Sequence, residues 1–184
     1  LTFAAVETGA ELFAASGFDT SNYLMRASDS DFNVGTGSFH VAMWINTSGA
    51  AAEEALLTLY PDSGDWWGII MSSSEAVRMD TNDGVTPTST PGTTVATNTW
   101  VKIDAVYNTT SGNIEMYHNG VLVSETDNSS ITTLSGSTQQ FNIGVYDNPS
   151  GGPRGGGGGG AIALPRLSMT APNAAQVRQM YEAE

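Results

Sequence analysis

Three short clusters of Asp and Asn are the residues that come first as candidates for chemistry. They are Asp62 and Asp65 in "YPDSGDWW", Asp80, Asn82 and Asp83 in "MDTNDG", and Asp147 and Asn148 in "VYDNPSGG". Calcium binds several oxygen atoms at once, from carboxylates and from loop carbonyl groups. Tight turns use the same residue types, so the clusters also have a purely structural interpretation. We name Asp62, Asp65 and Asp147 as the candidate calcium ligands.

Aromatic residues beside these clusters are candidates for sugar binding. A sugar ring stacks its apolar face on an aromatic ring, while Asp and Asn side chains orient its hydroxyl groups. The predicted ligand contacts are Trp66, Trp67, Tyr146 and Asn148. The alternative is that one of the tandem tryptophans belongs to the core and the other is half-covered.

Carboxylates and histidines in an arrangement suited to catalysis are not found. A retaining glycosidase needs two carboxyl groups about 5 Å apart, one as acid and one as nucleophile. Glu53 and Glu54 are adjacent, so on a strand they would face opposite sides. Glu115 stands alone, and His40 and His118 have no Ser or Cys motif nearby. We therefore expect that the protein is not an enzyme.

The charge balance argues against two classes of partner. The 184 residues include six Lys and Arg against nineteen Asp and Glu, a formal net charge of −13. Too few cations are present to neutralise nucleic-acid phosphates or to hold an anionic membrane surface. No apolar run approaches the roughly 20 residues that span a bilayer. The absence of Cys rules out disulfides and thiolate metal sites.

Alternation of apolar and polar residues with a period of two predicts a chain made mostly of short strands. The clear segments are 38–46, 100–108, 140–147, 161–169 and the hairpin 113–125, and the weaker ones are 2–6, 22–26, 55–59, 67–72 and 76–80. In the hairpin, Asn119-Gly120 supplies the two positive-φ residues of a type I′ turn. Trp44 and Trp100 are predicted to be core residues. Many short strands between Gly, Asn, Asp and Ser turns indicate an all-β sandwich or barrel.

One helix is predicted at the end of the chain. Asn173 is the expected N-cap, and Gln176 three residues later completes a capping-box pattern. Val177, Met180 and Tyr181 then form an apolar stripe at helical spacing. The chain opens at Leu1 rather than Met and the helix lacks a C-cap signal, so we expect an excised piece of a longer chain.

A glycine-rich segment separates the last predicted strand from the rest. Eight of the ten residues from 151 to 160 are Gly. The strand and helix that follow are too short for a second domain, so we predict a loop inside a single domain of residues 1–184. A phosphate-binding loop would instead need a following helix, usually with Lys and Ser or Thr.

Several segments resemble, in their order and spacing, the laminin G-like, concanavalin A-like sandwich. They are "GFDTSNYLMRASDSDFNVGTGSFHVAMWINTSG", "WWGIIMSSSEAVRM", "NTWVKIDAVYNTTSGNIEMYHNGVLVSE", "FNIGVYDN" and "GAIALPRLSMTAPNAAQVRQMYEAE". The resemblance implies a jelly roll of two antiparallel sheets, a short C-terminal helix, and first and last strands that lie close together. It also implies calcium at the sandwich rim. Glycosidases with this sandwich carry E-x-D-x(-x)-E on one strand, and that triplet is absent here.

The two ends of the chain look most like domains in virion proteins of tailed bacteriophages. The segments are "TGAELFAASGF" and "AIALPRLSMTAPNAAQVRQMYE". This resemblance implies a non-catalytic binding or structural domain on a fibre, tail or head decoration, at the virion surface or otherwise extracellular. Its partners would be host surface glycans or virion proteins, and it would form a homo-oligomer within a fibre. The alternative is a carbohydrate-binding module of a secreted bacterial protein.

Overall fold

Strands make up about half of the chain in the computed structural model, which describes residues 2–7, 11–50, 52–60, 64–131, 133–134, 140–148, 152–154 and 160–184. The strands are β1 (Thr2–Glu7), β2 (Glu11–Ser16), β3 (Leu24–Arg26), β4 (Phe39–Asn46), β5 (Glu54–Tyr60), β6 (Asp65–Met71), β7 (Ala76–Asp83), β8 (Pro87–Ser89), β9 (Thr93–Thr94), β10 (Val101–Asn108), β11 (Asn113–His118), β12 (Val121–Asp127), β13 (Gln140–Ile143), β14 (Tyr146–Asn148), β15 (Gly152–Arg154) and β16 (Ala161–Ser168). A short 3-10 helix covers Ser30–Phe32, and the helix α1 covers Ala174–Glu182.

Two antiparallel sheets form the sandwich. Sheet A has the order β1-β2-β16-β4-β10-β11-β12. Sheet B has the order β3-β13-β5-β6-β7-β8, and β9 also pairs with β7. Strand β16 pairs with β2 on one side and with β4 on the other, so the two ends of the chain meet in one sheet. This all-β architecture with a short C-terminal helix confirms the predicted fold.

The main core lies between the inner faces of the two sheets. Strand β4 sends every second side chain inward and β6 does the same from the opposite sheet, as period-two alternation requires. These side chains are all 2% exposed or less: Phe39, Val41, Met43, Ile45, Trp67, Ile69 and Met71. Burial of one large apolar side chain stabilises a fold by about 1.5–3 kcal/mol, so the two facing rows account for much of the cohesion between the sheets.

The local turn and cap predictions are confirmed. Asn119 and Gly120, between β11 and β12, have φ values of 50° and 73°, as the type I′ turn demands. Asn173 and Gln176 form both hydrogen bonds of the capping box at the start of α1. Of the apolar stripe, Val177 is fully buried.

The prediction of one strand over 140–147 is wrong. Gly144 has a φ of +84°, a conformation that ends an extended strand and that only glycine adopts without strain. Its N–H donates to the carbonyl oxygen of Leu56 at 3.0 Å. The segment is therefore divided into β13, which belongs to sheet B, and β14, which pairs with β15 in the glycine-rich segment.

The two tryptophans assigned to the core from sequence are placed differently. Trp44 and Trp100 are half-buried and lie outside the main core, in a small cluster with Ala14 and Ala163. Trp44 is directly opposite Ala163 on one neighbouring strand and Lys102 on the other. The residues on either side of Trp44 in β4, Met43 and Ile45, point into the core, so the Trp44 side chain points away from it. Trp44 and Trp100 therefore belong to the outer face of sheet A.

Replacement of Gly144 by Ala should destabilise the fold by about 2–5 kcal/mol, because a positive φ costs an L residue about 1–2 kcal/mol and forced overpacking costs about 1–3 more. An added Cβ would lie 2.1 Å from the Phe18 ring. Gly17→Ala is the matched control, since Gly17 has a φ of +77° and nothing within 4 Å of that position. Urea unfolding of both variants measures the difference, and equal losses would contradict the steric argument.

Candidate functional site

Two aromatic rings lie together where β5 ends and β6 begins. The ring centroids of Tyr60 and Trp66 are 5.3 Å apart, and their planes meet at 44°. Trp66 faces outward from sheet B because the next residue, Trp67, points into the core. Tyr60 and Trp66 are both half-buried. Each ring is thus fixed against its neighbour while part of it stays in contact with solvent.

Trp67 is the core member of the tandem pair. Its side chain is 0% exposed, and its ring lies 4.9 Å from that of Phe39. An enclosed ring has no face to offer a sugar. This corrects the prediction of Trp67 as a ligand contact and leaves the half-buried Trp66 as the member of the pair that contacts solvent.

A strip of polar side chains on β7 adjoins the two rings. Asn82 is directly opposite Trp66 across the strand pair, and its Oδ1 accepts a hydrogen bond from the Gly84 N–H at 2.7 Å. Farther along the same face, Arg78 Nε donates to both carboxylate oxygens of Asp80, at 2.8 and 3.0 Å. Its Nη2 donates to Glu53 at 2.6 Å. The strip is therefore held rigidly by its own hydrogen bonds.

The guanidinium of Arg78 stays charged in this setting. Burial alone would lower the pKa of Arg78, but its hydrogen bonds to Asp80 and Glu53 outweigh burial and raise the pKa well above the ordinary value. Two carboxylates and one guanidinium thus form a compact charged group farther along β7 than the rings, with Asp80 opposite Gly68 and Arg78 opposite Ile70. Such a group offers both donors and acceptors to a polyhydroxyl ligand.

Two carboxylates face each other at the rim next to the rings. Asp65 on β6 is directly opposite Asp83 on β7. Partial burial raises the pKa of Asp65, and the negative charge of Asp83 raises it further. Asp83 Oδ1 also accepts hydrogen bonds from the N–H groups of Val85 and Thr86, at 3.1 and 2.7 Å. A bound cation would relieve the repulsion between the two carboxylates.

The fit of this pair to calcium is partial. Calcium takes six to eight oxygen ligands, and the described part of the chain brings no three Asp, Glu or His residues together for a metal. Asp65 is one of the predicted ligands, and Asp62 lies outside the described residues. Asp83 was not among the predicted ligands. Asp83 is identified by the strand register that places it opposite Asp65. The sequence alone does not predict that register.

The other predicted site residues lie on β14. The Thr58 hydroxyl of β5 donates to the Val145 carbonyl oxygen at 3.2 Å, which brings the chain entering β14 over the outer face of sheet B. Tyr146, Asp147 and Asn148 form β14 itself, and their side chains lie outside what the structure describes. Their backbone thus runs close to β5, the strand that ends at Tyr60.

Comparison with protein families decides the classification. The Laminin_G_3 model, described as the concanavalin A-like lectin/glucanases superfamily, matches residues 18–178. The chain belongs to this superfamily. The match begins after β2 and extends into α1, so it includes every strand of sheet B and most of sheet A. It confirms the resemblance to the laminin G-like, concanavalin A-like sandwich.

Several solved structures share the fold at low sequence identity. The binding domain of botulinum neurotoxin serotype G has a TM-score of 0.74 and 13% identity, over 99% of this chain and 45% of that chain. The binding domain of Paraclostridial Mosquitocidal Protein 1 has a TM-score of 0.75 and 12% identity, over 99% and 45% of the respective chains. A heptameric SAP-like pentraxin from Limulus polyphemus has a TM-score of 0.60 and 12% identity, over 98% and 80%.

Length separates this chain from the toxin structures, since it spans less than half of each toxin binding domain. At these identities the likeness shows the fold alone. A comparison with curated proteins found no match. Within the described residues, no helix has the length and apolar character needed to cross a membrane.

Replacement of Asp65 by Asn should stabilise the fold at pH 7 by up to about 1 kcal/mol, because like charges directly opposite on paired strands are destabilising. The raised pKa of Asp65 means that the folded state holds this proton more tightly than the unfolded chain does. Stability therefore falls as the pH rises through the carboxyl range, and the gain from Asp65→Asn should vanish below about pH 4.

Urea unfolding at pH 7 and pH 3.5, in calcium-free buffer, measures both effects. Asp19→Asn serves as the control of opposite sign, because hydrogen bonds from Asn22 and Ser21 lower the pKa of Asp19. A loss of stability for Asp65→Asn at pH 7 would contradict the repulsion. Added calcium should raise the melting temperature of the wild type more than that of the variant if Asp65 is a ligand.

Proposed function

We propose that this domain binds carbohydrate without hydrolysing it, through the outer face of sheet B around Tyr60 and Trp66. The observation that carries the proposal is the pair of half-buried rings, 5.3 Å apart, beside a polar strip that is already fixed by hydrogen bonds. Aromatic faces with a few well-placed polar groups are what ligand sites for sugars require. Because the site is fixed before the ligand arrives, little conformational entropy is lost on binding.

The polar strip supports binding rather than hydrolysis. Glycosidases need one carboxyl group that can donate a proton and a second that acts as nucleophile or base. On the described part of this face, Asp80 and Glu53 are both paired with the Arg78 guanidinium. Both carboxylates are therefore already engaged by one guanidinium, an arrangement that differs from the separate acid and nucleophile that hydrolysis requires.

Related structures support a role in recognition. A binding domain of botulinum neurotoxin DC, with a TM-score of 0.69 and 11% identity, has been solved in complex with SialylT. The same type of toxin domain has been solved in complex with rat synaptotagmin II. The superfamily fold thus occurs in proteins that contact glycan or protein ligands, and the aromatic pair favours a glycan here.

The biological setting that we propose is the surface of a phage virion, on a fibre, tail or head decoration. The domain would contact glycans on the host cell and other virion proteins, and in a fibre it would form a homo-oligomer. A calcium ion held by the predicted ligands Asp62, Asp65 and Asp147, together with Asp83, would stabilise the rim next to the rings. A carbohydrate-binding module of a secreted bacterial protein would use the same contacts, and the flanking sequence would distinguish the two settings.

Trp66→Ala should weaken glycan binding about tenfold or more, because loss of a central aromatic contact typically costs over 1.4 kcal/mol. Binding of the purified domain to a bacterial glycan array, with calcium and again with a chelator, measures this. Val85→Ala is the control, since Val85 is an apolar residue near the same rim that is 86% exposed and contributes no ring.

The outcomes separate the possible roles. Loss of binding in Trp66→Ala but not in Val85→Ala supports the site, and loss in chelator supports the metal. A wild-type domain that is folded and binds no glycan on the array would overturn the proposal in favour of a structural or protein-binding domain.

A further inference from the structure

A second group of aromatic rings lies on the outer face of sheet A, on the opposite side of the sandwich from Tyr60 and Trp66. Trp44 is on β4, and Trp100 directly precedes β10. Both pack on Ala14 of β2 and Ala163 of β16. Ala14, Ala163, Trp44 and Lys102 form one row across four neighbouring strands.

The burial of the two alanines indicates how the indoles are held. Ala14 and Ala163 are only 5% and 2% exposed although they belong to the outer face. Among the described residues, the larger apolar side chains packed on them are those of Trp44 and Trp100. The indoles therefore pack on the alanines, and the Tyr181 ring lies against Trp44 as well. Both indoles are accordingly half-buried.

Polar contacts fix Trp44 in this position. Its Nε1 donates to Glu184 Oε2 at 2.8 Å, and its ring lies 6.0 Å from that of Tyr181. Glu184 is in turn bonded to Arg166, and its Oε1 lies 3.3 Å from Lys102 Nζ. The indole edge, a carboxylate and two cations thus form one connected group beside the half-buried rings.

Arg166 adds donors at the edge of this platform. Its side chain is 49% exposed, and one of its nitrogens, Nη1, bonds to Glu184. A guanidinium carries five N–H donors, so further donors face the solvent beside the rings. An aliphatic side chain would have covered the alanines equally well. The indoles add flat faces and a fixed polar edge, which are the features that sugar sites use.

We propose that Trp44 and Trp100 form a second carbohydrate site, in which a pyranose stacks on the indoles and Arg166 holds one of its hydroxyl or carboxylate groups. The site is separate from the Tyr60–Trp66 site, because the two lie on opposite sheets. A domain with two such sites binds a glycan-covered surface more strongly than either site alone when both sites are engaged.

Trp100→Ala is the variant that tests the second site with the least disturbance of the fold. Trp44 donates a hydrogen bond to Glu184, whereas the only contact of the Trp100 side chain in the described structure is its packing on the alanines. The probe is the same bacterial glycan array, applied to the wild type, Trp66→Ala, Trp100→Ala and the double variant. We expect Trp100→Ala to lose about tenfold or more of its binding to a set of glycans that Trp66→Ala retains, and the double variant to bind neither set. Val121→Ala, at a 54% exposed apolar residue of sheet A, should bind like the wild type.

Two further variants keep the test decisive if Trp100→Ala does not fold. Trp100→Phe keeps a smaller ring and should retain part of the binding, and Arg166→Gln keeps both rings while removing the charged donors. Wild-type binding by Trp100→Ala, or by both of these variants, would overturn the second site and leave the Tyr60–Trp66 site standing alone. Loss of all binding in Trp66→Ala would overturn it equally, since one site would then account for every contact.

Discussion

The buried cation of Lys102 is the constraint that ties the helix, the sheet and the chain ends together. Lys102 is 1% exposed and lies on the outer face of sheet A, where only paired charges are tolerated. Asp104 on the same strand lies 3.8 Å from Lys102 Nζ, and Glu184 beyond α1 lies 3.3 Å away. Removal of one partner from a buried pair costs roughly 3–5 kcal/mol. Docking of the chain beyond α1 on the sheet therefore supplies one of the two carboxylates that compensate this cation.

This charge cluster also connects strands that are distant in the sequence. His40 of β4 bonds to Asp104 of β10 at 2.9 Å, and Arg166 of β16 bonds to Glu184. At the centre of α1, Val177 packs on Val106 and Tyr117 and closes the apolar side of the same face. Burial raises the pKa of Tyr117, and Glu115 bonded to its hydroxyl raises it further. One face of sheet A is thus sealed by the helix, and the aromatic platform lies where the helix ends.

The sequence predicts those features that depend on neighbouring residues alone. Strand alternation, the Asn119-Gly120 turn and the Asn173 cap each follow from a few adjacent side chains, and all appear in the structure. The meeting of Asp65 with Asp83, and of Tyr60 with Trp66, depends instead on strand register, which spacing does not encode. Trp44 was misassigned for a related reason. When both faces of a strand are apolar, alternation gives the two sets of residues but does not say which set faces the core.

The placement of aromatic rings on both outer faces bears on what an acidic domain can bind. At −13 the chain repels anionic surfaces at long range. Ring stacking acts at short range and does not depend on net charge, so it can hold a neutral sugar close to an acidic surface. The guanidinium groups on the two outer faces, those of Arg78 and Arg166, are bonded to local carboxylates. Their charge is therefore balanced within the site, and the preference of each site is set by the rings and by the hydrogen bonds around them rather than by the net charge.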